Sequence, residues 1–125
     1  MAKRPSCIPL TSETLKAAYE YLCTTEPFSR WNLPESDSIT FKVAKDPHNF
    51  GWHVCWGRKN KKHIIAVSRR TTGHTLTLMT VMAHEILHVH QHMTGQATSR
   101  VEHNKAFRAD AELICAIHGF DPRSF

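Results

Sequence analysis

The feature that most constrains this chain is the run His84-Glu85-Ile86-Leu87-His88. Residues four apart on an α-helix lie about 40° apart around the axis and about 6 Å along it, so both imidazoles leave one face and can hold one ion. Glu85 falls on the flank of that stripe, where its carboxylate can reach a water on the metal without ligating the metal, the position of a general base. The chemistry works only if the segment is helical. From about Thr75 to Met93 the apolar residues Leu76, Met79, Met82, Ala83, Ile86 and Leu87 recur at helical spacing, with Gly95 as the stop. Histidine is the commonest metal ligand and makes up ten of 125 residues, so the bland reading, a solvated His-rich helix face, has to be weighed through the third ligand.

A catalytic zinc takes three protein ligands and leaves one position for water. His92 continues the stripe, but His84, His88 and His92 on one straight helix span about 12 Å, too far for bonds near 2.1 Å to one ion. His90 lies about 200° around the axis from His88 and points away. A metzincin pattern requires Gly at 91 and His at 94, where the chain has Gln91 and Thr94. The third ligand must therefore come from beyond Gly95, from among Glu102, His103, Asp110 and Glu112. Ser99 followed by Glu102 reads as a capping box that occupies the Glu102 carboxylate, and imidazole suits zinc. His103 is thus preferred over the acidic residues, which stay as alternatives. Asp110 reads either as a group orienting a ligand imidazole or as an ordinary solvated carboxylate.

The remaining chain supplies a frame. Residues 12–23 form a helix capped by Ser12, with Leu15, Ala18, Tyr19 and Leu22 on one face. Residues 24–37, with Pro27 and Pro34, read as a connection pinned by Trp31. Ile39, Phe41 and Val43 alternate in a strand, and Trp52–Gly57 with His63–Arg69 make a hairpin. A last helix carries Phe107, Ala111, Ile114 and Ile117 and stops at Gly119. The expected class is α+β: one zincin-like domain with its core at about 12–118, an N-terminal helix, a three-stranded antiparallel sheet, the metal helix, and a C-terminal helix carrying the third ligand.

Sixteen Lys+Arg against eleven Asp+Glu give a net charge of +5, a background that favours polyanionic partners. Arg58, Lys59, Lys61, Lys62, Arg69 and Arg70 sit at the ends of the hairpin, either as a DNA contact beside Trp52 or Trp56 or as solvated turns. Trp52 and Trp56 share a strand face with Val54 and read as core. Met79, Met82 and Met93 read as core filler, and Cys115 as a small buried apolar residue. His48, His53, His63, His74 and His118 receive no role. Cysteines 7, 23, 55 and 115 lack the spacing of a zinc clip and read as reduced thiols of a cytoplasmic protein, with no signal peptide or membrane span.

His84-Glu85-x-x-His88 followed by His103-Asn104-Lys105-Ala106-Phe107 resembles the SprT-like zincin metallopeptidases, in which such a helix is followed by a His with an aromatic four residues on. The preceding hairpin, with Cys55-Trp56-Gly57 and Ile64-Ile65-Ala66-Val67-Ser68, is similar to theirs and, more weakly, to that of the YgjP-like putative metallopeptidases. The resemblance spans roughly residues 12–118 and is strongest over 84–107. It implies that His84, His88 and His103 ligate Zn2+, that Glu85 is the base, and that peptide bonds, in some members those of DNA-associated proteins, are the substrate. The sequence after Gly119 departs from the many members that carry a cysteine zinc ribbon, since it contains no Cys pair.

Chemistry gives the same activity: a metal-activated water attacks, and Glu85 removes its proton and returns it to the leaving amine. If the strand His63–Arg69 is an edge, it offers backbone groups to an extended peptide. Tyr19, Tyr21, His74 and Arg70 are equivalent candidates for stabilising the oxyanion. The alternative is a noncatalytic, zinc-stabilised module that binds DNA or protein.

Overall fold

The computed structural model describes residues 10–57, 61–72, 74–98 and 101–125. Cys7, Arg58, Lys59 and Ser99, which entered the expectations above, lie outside them. The elements in order are α1 (Ser12–Cys23), two 3-10 turns (Phe28–Arg30 and Ser36–Ser38), β1 (Ile39–Ala44), β2 (Gly51–Trp56), β3 (Lys62–Ser68), α2 (Thr75–Met93) and α3 (Lys105–His118). This is the α+β class expected. No helix among the described residues is long and apolar enough to cross a membrane.

The helices follow their periodicity. α1 buries Leu15, Ala18, Tyr19 and Leu22, and its N-cap is Thr11, whose hydroxyl accepts from the Thr14 amide, one residue before the expected Ser12. α2 buries nine residues, Ile86 and Leu87 among them, and packs against β2, β3 and both other helices, while α1 also lies on β1. α3 starts later than the capping-box reading placed it. Asn104 is the N-cap, its Oδ1 accepting from the Phe107 amide at 2.9 Å, and Glu102 stands in the turn before it. Leu76, Met93 and Ile117, expected inside, are exposed.

The sheet corrects two expectations. Its order is β1-β3-β2, with β1 parallel and β2 antiparallel to β3, so it is mixed and not antiparallel throughout. β3 is therefore the central strand, and β2 forms the edge. The continuous apolar run Ile64-Ile65-Ala66-Val67 suits a strand buried on both faces, as interior strands commonly are, whereas β2 alternates. The segment joining β1 to β2 passes the end of β3, where Ser68 N donates to Phe50 O and Arg69 N donates to Ala44 O.

The facing of β2 is also opposite to that expected. Gly51, His53 and Cys55 turn inward, while Trp52, Val54 and Trp56 are 36%, 45% and 47% exposed on the other face. Hydrophobicity argues for the reverse. What decides the facing is the closeness of α2: a Cβ on Gly51 would lie 2.7 Å from the Ala66 carbonyl oxygen and 2.9 Å from Val81 Cγ1. Only glycine lets strand and helix approach so closely.

Gly51→Ala is therefore expected to push β2 off α2 and to cost about 1–3 kcal/mol, as overpacking does. Thermal melts check this; an unchanged midpoint would show that the contact is easily relieved.

Candidate metal centre

α2 carries His84 and His88 one turn apart on the face that meets β2 and α3. After Met93 the chain reverses at Gly95, whose φ of 73° few other residues adopt at low cost. The amides of Gln96 and Ala97 donate to Gln91 O, and Asn104 Nδ2 donates to Gln96 O at 2.9 Å, which fixes the returning segment. His103 stands at the end of that return. It belongs to the turn before α3 and not to α3 itself, a correction to its expected place on the helix.

The three imidazoles converge. His88 Nε2 lies 3.2 Å from His84 Nε2 and 3.3 Å from His103 Nε2, and donor atoms of all three lie within 4.8 Å of one another. The Phe107 ring backs the group, with ring centres at 5.1 Å from His84 and 4.6 Å from each of the other two. Asn104 caps the helix that presents this ring, so one short segment supplies both a donor and the apolar wall behind it.

The electrostatics favour a cation. Burial, and then the neighbouring imidazoles, depress His84 to about 4 and His88 to about 3. The Phe125 backbone, bonded to the His84 ring, pulls slightly the other way. Both rings are thus neutral at pH 7, with lone pairs to offer. Glu85 is 3% exposed, and burial first, with the Glu102 charge second, pushes its carboxyl up to about 8. Its Oε1 has no hydrogen-bond partner among the described residues, and it stands beside the triad without joining it. A cation in the triad would draw that carboxyl back towards its ionised form.

A cleft of about 730 Å3 opens onto these groups, with Gly51, Val81, His84, Glu85, His103 and Phe125 in its wall. Of the four oxyanion candidates, Tyr19 is buried with its hydroxyl on the Pro34 carbonyl, and Tyr21, His74 and Arg70 also lie outside the cleft wall. Arg123 and Asn49, which the sequence did not single out, line it. Their signal was absent because it depends on distant segments folding back, and Gly51 lay one residue before the strand expected at Trp52–Gly57, whereas β2 begins at it.

His92 stays out of the triad, as its spacing required, with Nδ1 at 3.3 Å from Cys55 Sγ. His90 points away and stacks on Trp31 at 3.9 Å between ring centres, which pins the 24–37 connection. The charge of Asp110 acts on His90 and is not among the influences on His84 or His88. Cys23, Cys55 and Cys115 are free thiols. Lys61 and Lys62 stand at one end of β3 and Arg69 and Arg70 at the other, about 20 Å apart at strand rise, all exposed. No family model matches the chain, and no curated protein matches it.

Glu85 sets a pH dependence in the metal-free protein. Its folded value of about 8 exceeds the ordinary glutamate value of 4.5, so the native state holds a proton that the unfolded chain has released between those limits. The stability so gained is complete below pH 4.5 and is lost as pH rises through about 8. Glu85→Gln is expected to stabilise the chelator-treated protein relative to wild type by an amount that grows from pH 5 to pH 9, several kcal/mol at most at about 1.4 kcal/mol per pH unit. Paired melts across that range check it, and a constant difference would contradict the assignment.

Proposed function

We propose that the chain is a zinc-dependent metallopeptidase of SprT-like type. The observation that carries this is the meeting of three Nε2 atoms beside a buried, unpartnered carboxyl oxygen. Two ligands held at 2.0–2.1 Å in tetrahedral geometry lie about 3.3 Å apart, which matches the 3.2 and 3.3 Å spacings. An all-imidazole set suits zinc, and three such ligands leave a fourth position open. When bound, zinc would polarise the scissile carbonyl and lower the pKa of a water.

The remaining chemistry belongs to the chain. Glu85, held in a water-poor pocket, takes a proton from the attacking water and later gives it to the leaving amine. Its burial raises its basicity once it is ionised, and the absence of a competing hydrogen bond on Oε1 leaves that atom free for the transfer. Phe107 holds the imidazole rings in place. An extended peptide would pair with the free edge of β2, since β3, the strand first assigned this task, has both edges occupied. Asn49, Phe50 and Gly51 at the start of β2 line the cleft, so the edge leads a bound chain to Glu85. Backbone pairing implies weak sequence preference.

Three proteins purified without added metal test this. Wild type is expected to hold a tightly bound zinc in the triad and to cleave an unfolded protein substrate. His103→Ala is expected to lose the zinc, and Glu85→Gln to keep it while cleavage falls by about 10²-fold or more. Glu85→Gln with zinc retained and cleavage unchanged would overturn the reading and favour the noncatalytic module.

A further inference from the structure

Beyond the triad, a second group of donors lies between β2 and α2. His53 and Cys55 alternate on the inward face of β2, His63 is the cross-strand neighbour of Cys55, and His92 follows His88 by one turn on α2. Cys55 Sγ and His92 Nδ1 are 3.3 Å apart. His53 Nε2 and His63 Nδ1 are 2.8 Å apart, and the ring centres of His53 and His92 are separated by 5.2 Å. We propose that Cys55, His92 and His53 form a second transition-metal site joining β2 to α2, with His63 behind His53 as the group that orients it.

The donor set argues for a borderline or soft ion. A thiolate with two imidazoles suits zinc or copper and disfavours calcium and magnesium. Tetrahedral bonds of 2.3 Å to sulfur and 2.0–2.1 Å to nitrogen place those two atoms about 3.5 Å apart, close to the observed 3.3 Å. Binding releases the thiol proton to solvent and leaves the thiolate on the ion. Among the described residues only the triad has its donors already within 4.8 Å of one another, so binding here would require His53 to move closer to Cys55.

The cluster is otherwise an expensive filling for a strand–helix interface. His63 is 1% exposed, and its Nε2 has no partner among the described residues. Three imidazoles and a thiol in one interface carry a desolvation cost that apolar residues filling the same space would not. Two imidazoles, a thiol and a third imidazole behind them make sense together as a ligand set with its support. The His53 ring also lies parallel to that of His88, 6.4 Å away, so an ion here would brace the edge strand against the helix that carries the catalytic donors.

Cobalt(II) titration tests the site, because its sulfur distinguishes it from the all-imidazole triad. Wild type is expected to take two equivalents, the second accompanied by thiolate-to-cobalt charge-transfer absorption in the near ultraviolet. Cys55→Ser and His92→Ala are each expected to lose that band and the second equivalent while retaining the first. His103→Ala is expected to keep the band, so failure of the peptidase reading and failure of this one are separable. A single equivalent without the band in wild type, a band that survives Cys55→Ser, or its loss in His103→Ala would overturn the proposal.

Discussion

Three imidazoles meeting nitrogen to nitrogen in a half-buried pocket form an arrangement that the protein alone satisfies poorly. Each ring carries one N–H, so an Nε2 facing two others at 3.2–3.3 Å either donates to one or leaves its lone pair against theirs. Depressed proton affinity at His84 and His88 opposes relief by protonation of those two rings near neutral pH. A cation that accepts all three lone pairs resolves the conflict. The helix, the reversal at Gly95, the Asn104 cap and the Phe107 wall can each be understood as holding that convergence.

The same constraint explains the position of Glu85. A carboxyl with one oxygen unpartnered and only 3% exposure is costly to hold ionised, and burial shifts it to about 8. Next to a divalent ion it becomes an ionised, poorly solvated base, the combination that proton transfer needs. Gly51 belongs to this design: its missing side chain lets β2 approach α2 where a Cβ would stand 3.5 Å from Glu85 Oε2. The close approach that turns two tryptophans outward thus also closes the floor beneath the carboxylate.

The local parts of this structure were legible in the sequence, and the non-local parts were not. Helix periodicity, the stops at Gly95 and Gly119, and the four-residue spacing of His84 and His88 concern neighbours along the chain, and all three helices fall within a few residues of expectation. His103 was reachable because geometry excluded His92 and His90, although the capping argument misplaced it on a helix whose cap is Asn104, five residues after the expected Ser99. Sheet order depends on which strand docks between two others, and period-two alternation says nothing of that; the unbroken apolar run of β3 was the available signal. The facing of β2 failed because Trp52, Val54 and Trp56 outweigh Gly51, His53 and Cys55 in hydrophobicity, while the decisive contact is a backbone approach to α2. Arg123 and Phe125 reach the cleft only through tertiary folding.

The most direct test of the central claim is X-ray absorption at the zinc edge on protein loaded with one equivalent of zinc, which fills the preformed triad first. The account predicts three imidazole nitrogens at about 2.0–2.1 Å with one further light atom. A sulfur at about 2.3 Å in that first equivalent, or fewer than three imidazoles around the ion, would contradict it.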